Sequence, residues 1–333
     1  MRGRVLLPGM LVLLAVVAVL VLASLMFGSK EIPYSVVVDA LLRPDPSLAD
    51  HLIVRTVRVP RTLIAVIVGV ALGLSGALMQ GLTRNPLADP GILGVEAGAS
   101  LAVVLGIYVF GAGHLLGYIW FAFLGAAVVS VAVYALGVSG RDGSNPVKLA
   151  LAGAAISLLL GSITAAILIR NIDTLTGFRQ WAVGSLSGRD TDVALQVLPF
   201  VLVGVLLTLS LGRHLNAMAL GDDLAAALGQ RQWRARLQCA AAVVLLSGAA
   251  TAAAGPIGFI GLIVPHVARL VTGPDNRWVL AYSVLLGPIV LIAADVLGRV
   301  VDRPMEIQVG IMTALIGAPF FVVLASRRRM AEL

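Results

Sequence analysis

Few residues of this chain carry side chains suited to catalysis or metal binding. The one cysteine, Cys239, lies inside an apolar run, where a small packed side chain is the ordinary outcome. Two acidic residues, Glu96 and Asp295, come close to apolar runs, each near the end of its run. The four histidines are scattered over polar segments and run ends: His51, His114, His214 and His266. The sequence therefore predicts no metal site and no convergent acid, base and nucleophile.

The sequence also lacks a phosphate-binding loop. Such a loop follows the pattern GxxxxGK[ST], in which glycine backbone and a lysine cradle the phosphates. The only lysines are Lys30 and Lys148, and neither follows a glycine pattern of this kind. We therefore expect that this polypeptide binds no nucleotide through a P-loop.

One polar stretch separates two apolar runs. RNPLADPG, residues 84–91, lies between RTLIAVIVGVALGLSGALMQG and ILGVEAGASLAVVLGIYVF, both long and apolar enough for lipid. An arginine, an asparagine, an aspartate and two prolines interrupt the apolar sequence there. Two interpretations stay open: an ordinary connector between spans, or an irregular segment where something must pass or dock.

The composition indicates an all-α, polytopic membrane protein. The 333 residues are 59% hydrophobic and 12% charged, with a mean hydropathy of +1.00. A soluble domain of this length would need far more charge to cover its surface. Hydropathy predicts about ten spans, near 5–27, 60–81, 92–110, 115–137, 147–169, 193–212, 235–254, 257–271, 278–298 and 307–325.

The basic residues predict how the chain lies in the membrane. The apolar stretch from Val5 to Phe27 is longer than a usual signal core and lacks a small-x-small cleavage site, so we expect a retained first span.

With both termini inside, 14 of the 24 basic residues fall on the inner side and 10 on the outer. This bias favours cytoplasmic termini. In a soluble protein the net charge of +7 would suggest binding to nucleic acid, but here the basic residues that orient the chain in the membrane explain it better.

The second predicted span carries a stripe of small residues. Ala65, Gly69, Gly73, Ala77 and Gly81 recur every four residues, which predicts a ridge that a neighbouring helix can approach closely. Gln80 lies beside this stripe and has two interpretations: it lines a pathway, or it hydrogen-bonds a neighbouring helix.

A long polar connector, residues 213–236, contains the sequence LGDDLAAALG. Asp222 and Asp223 are suited to start a short helix and Gly229 to end it. Such a helix is either an interfacial connector or a docking surface for a cytoplasmic partner.

Several long motifs together resemble one family, and they span essentially the whole chain. They are RVPR at 58–61, SGALMQGLTRNPLADPGILGVEAGAS at 75–100, LALAG at 149–153, LGDDLAAALG at 220–229, GPIGFIGLIVPHVARL at 255–270, LIAADVLGR at 291–299 and GIMTALIGAPFF at 310–321. The chain resembles FecCD-type permease subunits of ABC importers for iron–siderophores, haem and cobalamin. The TRNPLADPGILGV form is most similar to the ferric-siderophore permeases.

The resemblance implies a type II importer fold with ten helices in one permease domain, residues 1–333. It implies pairing with an identical or sister permease around a central pathway. Two cytoplasmic ATPase subunits would bind the ATP and Mg²⁺, and an extracytoplasmic binding protein would deliver cargo. No cofactor is expected on this chain, and no catalysis.

The resemblance also implies roles for particular residues. Arg58, Arg61 and Arg299 would form an outer basic rim that meets acidic residues of the binding protein; the alternative is that they snorkel to headgroups or end helices. The gate or pathway residues would be Asn85, Leu87, Asn145 and Pro146, with Gln80. The segment 213–236 would couple to the ATPase through Leu220, Gly221, Ala225, Leu228 and Gly229.

The expected cargo is a ferric siderophore, then haem, then cobalamin. A different class of protein stays open as an alternative, namely a secondary transporter driven by a proton or sodium gradient. The scarcity of acidic residues within the spans disfavours it. Uptake by this chain alone, collapsed by an ionophore, would favour it.

Overall fold

The regular elements of the protein are helices. The computed structural model describes residues 3–111, 115–138, 146–227 and 230–326, and no strand occurs within these ranges. The α-helices in chain order are α1 (Gly3–Met26), α2 (Tyr34–Leu42), α3 (Ala49–Leu52), α4 (Val59–Thr83), α5 (Val95–Phe110), α6 (Leu115–Val138), α7 (Pro146–Arg170), α8 (Ile172–Ala182), α9 (Thr191–Ser210), α10 (Gly212–Ala219), α11 (Asp222–Ala227), α12 (Gln232–Ala254), α13 (Ile260–Thr272), α14 (Asn276–Val301) and α15 (Val309–Ser326).

Each of the ten predicted spans is found as an apolar helix, which confirms the all-α membrane architecture. Seven helices among the described residues are long and apolar enough to cross a membrane. The other three, α5, α13 and α15, are shorter apolar helices. Helix α13, the eighth predicted span, contains Pro265 and continues through this residue.

Helix α4 lies at the centre of the bundle. In its most apolar window 83% of the residues are buried, whereas the corresponding windows of α1 and α7 are 6% and 11% buried. Its neighbours include α9, α12, α13 and α14. The chain therefore uses α4 as its core and presents α1 and α7 to lipid or to another subunit.

The small-residue stripe on α4 forms the predicted close contact. A Cβ atom on Gly69 would lie 2.7 Å from the backbone of Pro288 in α14 and 2.8 Å from that of Gly287. Gly73 likewise lies against the carbonyl oxygen of Ser283, one turn away on α14. The ridge allows the two helix backbones to touch, because no side chain separates them.

The segment RNPLADPG turns back into the bundle after α4 ends. Arg84 has a left-handed backbone with φ of 49°, and Asp89 then lies against Gly261 at the start of α13. Gly261 also touches Gly76 of α4. At a rise of 1.5 Å per residue, Gly76 lies about 10 Å along the helix axis from the C-terminal end of α4. An irregular segment, 255–259, approaches the same place from α12. Two non-helical segments thus meet inside the bundle, where protein surrounds them.

The ends of the bundle differ in structure. Short helices α2 and α3 lie at the end where α1 stops and α4 begins, which we call the α2 end. Helices α10 and α11 lie at the opposite end, where Leu215 packs on Gly81 of α4; we call this the α10 end.

The glycine contact predicts a sharp difference between two substitutions. We expect Gly69→Ala to lower the stability of the purified protein by about 1–3 kcal/mol, because the new methyl group would overlap the backbone of α14. The measurement is thermal unfolding in detergent. Gly161→Ala in α7 is the matched control, since a Cβ there meets no atom within 4 Å. Equal melting temperatures for the two variants would contradict the contact.

Candidate functional site

A cluster of buried charges joins α4 and α14 at the α2 end. Arg61 donates from Nε and Nη2 to Oδ1 of Asp295, at 3.0 and 2.8 Å. Its Nη1 donates to Oε2 of Glu306 at 2.6 Å. Arg299 lies one turn along α14 from Asp295, with its Nη2 3.0 Å from Oδ2. Helix α4, helix α14 and the segment that follows α14 therefore meet through two arginines and two carboxylates.

Two arginines also hold the end of α1. Arg58 donates to the carbonyl oxygens of Leu25, at 2.6 Å, and Lys30. Arg299 donates from Nη1 to the carbonyl oxygens of Ser24 and Phe27, both at 3.0 Å. The last carbonyls of a helix have no partner within it and carry partial negative charge, so guanidinium groups suit them. Residues far along the chain thus cap the end of α1.

These positions correct the expectation of an exposed basic rim. The side chains of Arg58, Arg61 and Arg299 are buried, with relative exposures of 4%, 5% and 2%. The arginine pattern in the sequence did not show the carboxylates and helix end that enclose these groups. Their role in docking a binding protein stays a prediction.

Glu306 extends the charged cluster to the segment between α8 and α9. Its Oε2 accepts a hydrogen bond from the hydroxyl of Ser187 at 3.1 Å, in addition to that from Arg61. Burial raises the pKa of Glu306, but the hydrogen bond and charge of Arg61 outweigh this effect and lower it overall. Glu306 is therefore an ionised link between the charged cluster and the segment that contains Ser187.

The predicted gate residues lie in the turn that follows α4. The Oδ1 atom of Asn85 accepts from the backbone N–H of Leu87 at 2.9 Å, which closes an Asx-type turn. Asn85 is exposed and Leu87 partly exposed at the α10 end. Asn145 lies outside the described residues, and Pro146 is the first residue of α7. Their role as a gate stays a prediction.

Gln80 connects α4 to α13. Its side chain is fully buried, and Nε2 donates to the carbonyl oxygen of Gly261 at 3.1 Å. Its Oε1 accepts a hydrogen bond from Nη1 of Arg269. Of the two interpretations of Gln80, the structure shows the hydrogen bond to a neighbouring helix; no part of the side chain is exposed to line a pathway in this chain.

The connector 213–236 forms the short helices α10 and α11, and α11 begins at Asp222 as predicted. Leu220 is 58% exposed, and Gly221 has a φ of 104°, which favours glycine. Ala225 is buried. Leu228 and Gly229 lie outside the described residues. Leu220 is thus available to a partner, whereas Ala225 supports the helix from within.

A tether that the sequence analysis missed joins α10 to α14. Asn216 donates from Nδ2 to Oδ1 of Asp275 at 2.7 Å, and its Oδ1 accepts from the backbone N–H of Asn276 at 2.8 Å. The hydrogen bond from Arg277, helped by that from Asn216, outweighs burial and lowers the pKa of Asp275 to about 2. The sequence GPDN, residues 273–276, is typical of a helix start with Asp275 as the N-cap. Nothing in this local sequence indicates that Asn216 is the hydrogen-bond partner of Asp275.

The chain is similar to known proteins over most of its length. Residues 15–327 match the profile described as the FecCD transport family. The ferric enterobactin transport system permease protein FepD of Escherichia coli (strain K12) is 45% identical over 321 residues, covering 96% of this chain and 95% of that protein. The hemin transport system permease protein HmuU of Yersinia pestis is 39% identical, covering 82% and 83%. A solved inward-facing structure of a metal-chelate type ABC transporter superimposes with a TM-score of 0.84 at 28% identity, covering 97% and 99%.

The buried charge cluster predicts a large effect of one isosteric change. We expect Asp295→Asn to destabilise the protein by about 3–5 kcal/mol, because Arg61 and Arg299 would be left buried with one carboxylate fewer. Glu31→Gln is the matched control, since it breaks the exposed Glu31–Arg303 pair and is expected to cost about 0–1 kcal/mol. Thermal unfolding in detergent measures both, and a smaller loss for Asp295→Asn than for the control would contradict the assignment.

Proposed function

Because the chain belongs to the FecCD transport family, we propose that it is the membrane-spanning permease subunit of an ABC importer for an iron–siderophore complex. The match over residues 15–327 carries this proposal. The siderophore cargo is supported by the 45% identity to the ferric enterobactin permease, compared with 39% to the hemin permease. Haem is the second cargo on this basis. Cobalamin is the third, on the resemblance of the motifs alone.

The permease works with partners. Two of these chains, or one with a sister permease, form the pathway between them. Two cytoplasmic ATPase subunits bind ATP and Mg²⁺, and an extracytoplasmic protein delivers the cargo. The absence of a P-loop from the sequence supports the assignment of nucleotide binding to another subunit.

The α10 end faces the cytoplasm in this proposal, together with both termini. The excess of basic residues on that side supports this orientation. Leu220 and Leu224, each 58% exposed, give the connector 213–236 an apolar surface for a groove on the ATPase. Asn216 would pass the movement of α10 to the beginning of α14 through its two hydrogen bonds. The glycine contact between α14 and α4 would transmit this movement of α14 to α4 in the core of the bundle.

The α2 end faces the binding protein. Of the three predicted docking arginines, Arg61 lies beneath Glu306, whose side chain is 28% exposed. A carboxylate of the binding protein would reach Arg61 by competing with Glu306. Such competition would also release Ser187, so docking at this position would loosen the segment between α8 and α9.

The gate at the α10 end is proposed to form from the turn after α4, through Asn85 and Leu87, with Asn145 and with Pro146 at the start of α7. The short hydrogen-bonded turn at Asn85 supports this proposal, because it holds Leu87 in a defined position without helical structure.

The proposed function predicts stimulation of a partner enzyme. We expect the permease, reconstituted in proteoliposomes with its ATPase, to hydrolyse ATP faster when the ferric-siderophore-loaded binding protein is outside. The ligand-free binding protein is the control. Accumulation of ferric siderophore in vesicles that contain the permease alone and no nucleotide, collapsed by an ionophore, would overturn the proposal in favour of ion-coupled transport.

The coupling surface predicts the effect of one exposed side chain. We expect Leu220→Asp to weaken binding of the ATPase by roughly tenfold or more, because a central apolar contact contributes about 1–2 kcal/mol. Co-purification of the ATPase with the tagged permease measures this effect. Leu42→Asp is the matched control, since Leu42 is 76% exposed at the α2 end. Equal recovery of the ATPase with both variants would remove Leu220 from the interface.

A further inference from the structure

A polar pocket lies inside the bundle, where RNPLADPG and the segment 255–259 meet. It is lined in part by Asp89, Gly91, Glu96, Ser247, Thr251 and Ile257. Leu72, near the middle of α4, forms one of its walls. The pocket therefore lies well within the apolar layer and brings together residues from α5, α12 and the irregular segments.

Among the residues that the structure describes, no basic side chain interacts with the two acidic side chains of this pocket. Oδ1 of Asp89 accepts a hydrogen bond from the backbone N–H of Gly91 at 2.8 Å, within its own turn. Glu96 interacts electrostatically with Asp89, a like charge. Two ionised carboxylates are unfavourable inside an apolar bundle unless something positive lies between them.

A hydroxyl group of the same pocket has no hydrogen-bond partner within the described part of the chain. Thr251 is 3% exposed, and its side chain forms no hydrogen bond with the residues that the structure describes. Ser247, one turn earlier on α12, donates to the carbonyl oxygen of Val243 at 2.6 Å, which leaves the lone pairs of its Oγ available. The polar side-chain groups that line the pocket are thus two carboxylates and two hydroxyls, and all of them offer oxygen.

We propose that this pocket binds a hard metal cation. Carboxylate and hydroxyl oxygens are the ligands of Na⁺, Mg²⁺ and Ca²⁺, and a divalent ion would cancel the charge of Asp89 and Glu96. The ion joins three elements: the turn after α4 through Asp89, α5 through Glu96, and α12 through Thr251. It thereby anchors the irregular segment 84–91 inside the bundle. This site is separate from the cargo and does not depend on which cargo the permease carries.

The test uses the purified full-length protein in detergent after treatment with a chelator. Thermal unfolding is recorded while NaCl, MgCl₂ or CaCl₂ replaces choline chloride at constant ionic strength. We expect at least one metal ion to raise the melting temperature in a saturable manner. Glu96→Gln and Thr251→Val, which keep the side-chain shape, should abolish the rise. Glu31→Gln is the matched control, because this exposed carboxylate lies at the α2 end and should leave the rise unchanged.

A second measurement addresses variants that fold poorly. Equilibrium dialysis with radioactive Ca²⁺ or Na⁺ should show saturable binding to the wild-type protein and its loss in Asp89→Asn, whose Oδ1 still accepts from Gly91. No stabilisation by any of the three ions would overturn the proposal, as would full stabilisation of Glu96→Gln. Stability that depends on pH but on none of the ions would also overturn it, since the carboxyl pair would then hold a proton.

Discussion

The close approach of α4 to its neighbours is the constraint on which the rest of the structure depends. In lipid, burial of apolar side chains contributes little free energy to helix association, because lipid tails are as apolar as the side chains. The backbones must therefore come close enough for dispersion contacts. Gly69 and Gly287 allow this between α4 and α14, and Gly76 and Gly261 allow it between α4 and α13. Every functional region described above is attached to one of these three helices.

The polar groups of the protein follow from the same environment. Backbone groups without a helical partner must be satisfied by the protein, since lipid offers no hydrogen bonds. At the α2 end, Arg58 and Arg299 satisfy the last carbonyls of α1. At the start of α13, Gln80 satisfies the carbonyl of Gly261. The arginines that looked like a surface for a partner thus also have a structural role within the chain.

These connections give the permease a continuous route between its two ends. Helix α14 begins at Asn276, whose backbone N–H donates to Asn216 of α10. It reaches Asp295 and Arg299, in the charge cluster, near its end. A movement at α10 would therefore reach the segment with Ser187 through one helix and a few hydrogen bonds. The metal site proposed beside Asp89 would fix the irregular segment 84–91 inside the bundle.

The sequence by itself determined the all-α membrane architecture, the ten apolar helices, the small-residue ridge on α4 and the start of α11 at Asp222. These properties depend on local hydropathy, spacing and capping, which are readable along the chain. The family was also recognisable, because its motifs are continuous stretches. Only the tertiary structure decided that Arg58, Arg61 and Arg299 are buried, that Gln80 bonds α13, that Asn216 holds Asp275, and that Asp89, Glu96 and Thr251 share a pocket. Each of these facts depends on partners that lie between 28 and 275 residues away or on segments brought together by folding, and no local pattern encodes such a partner.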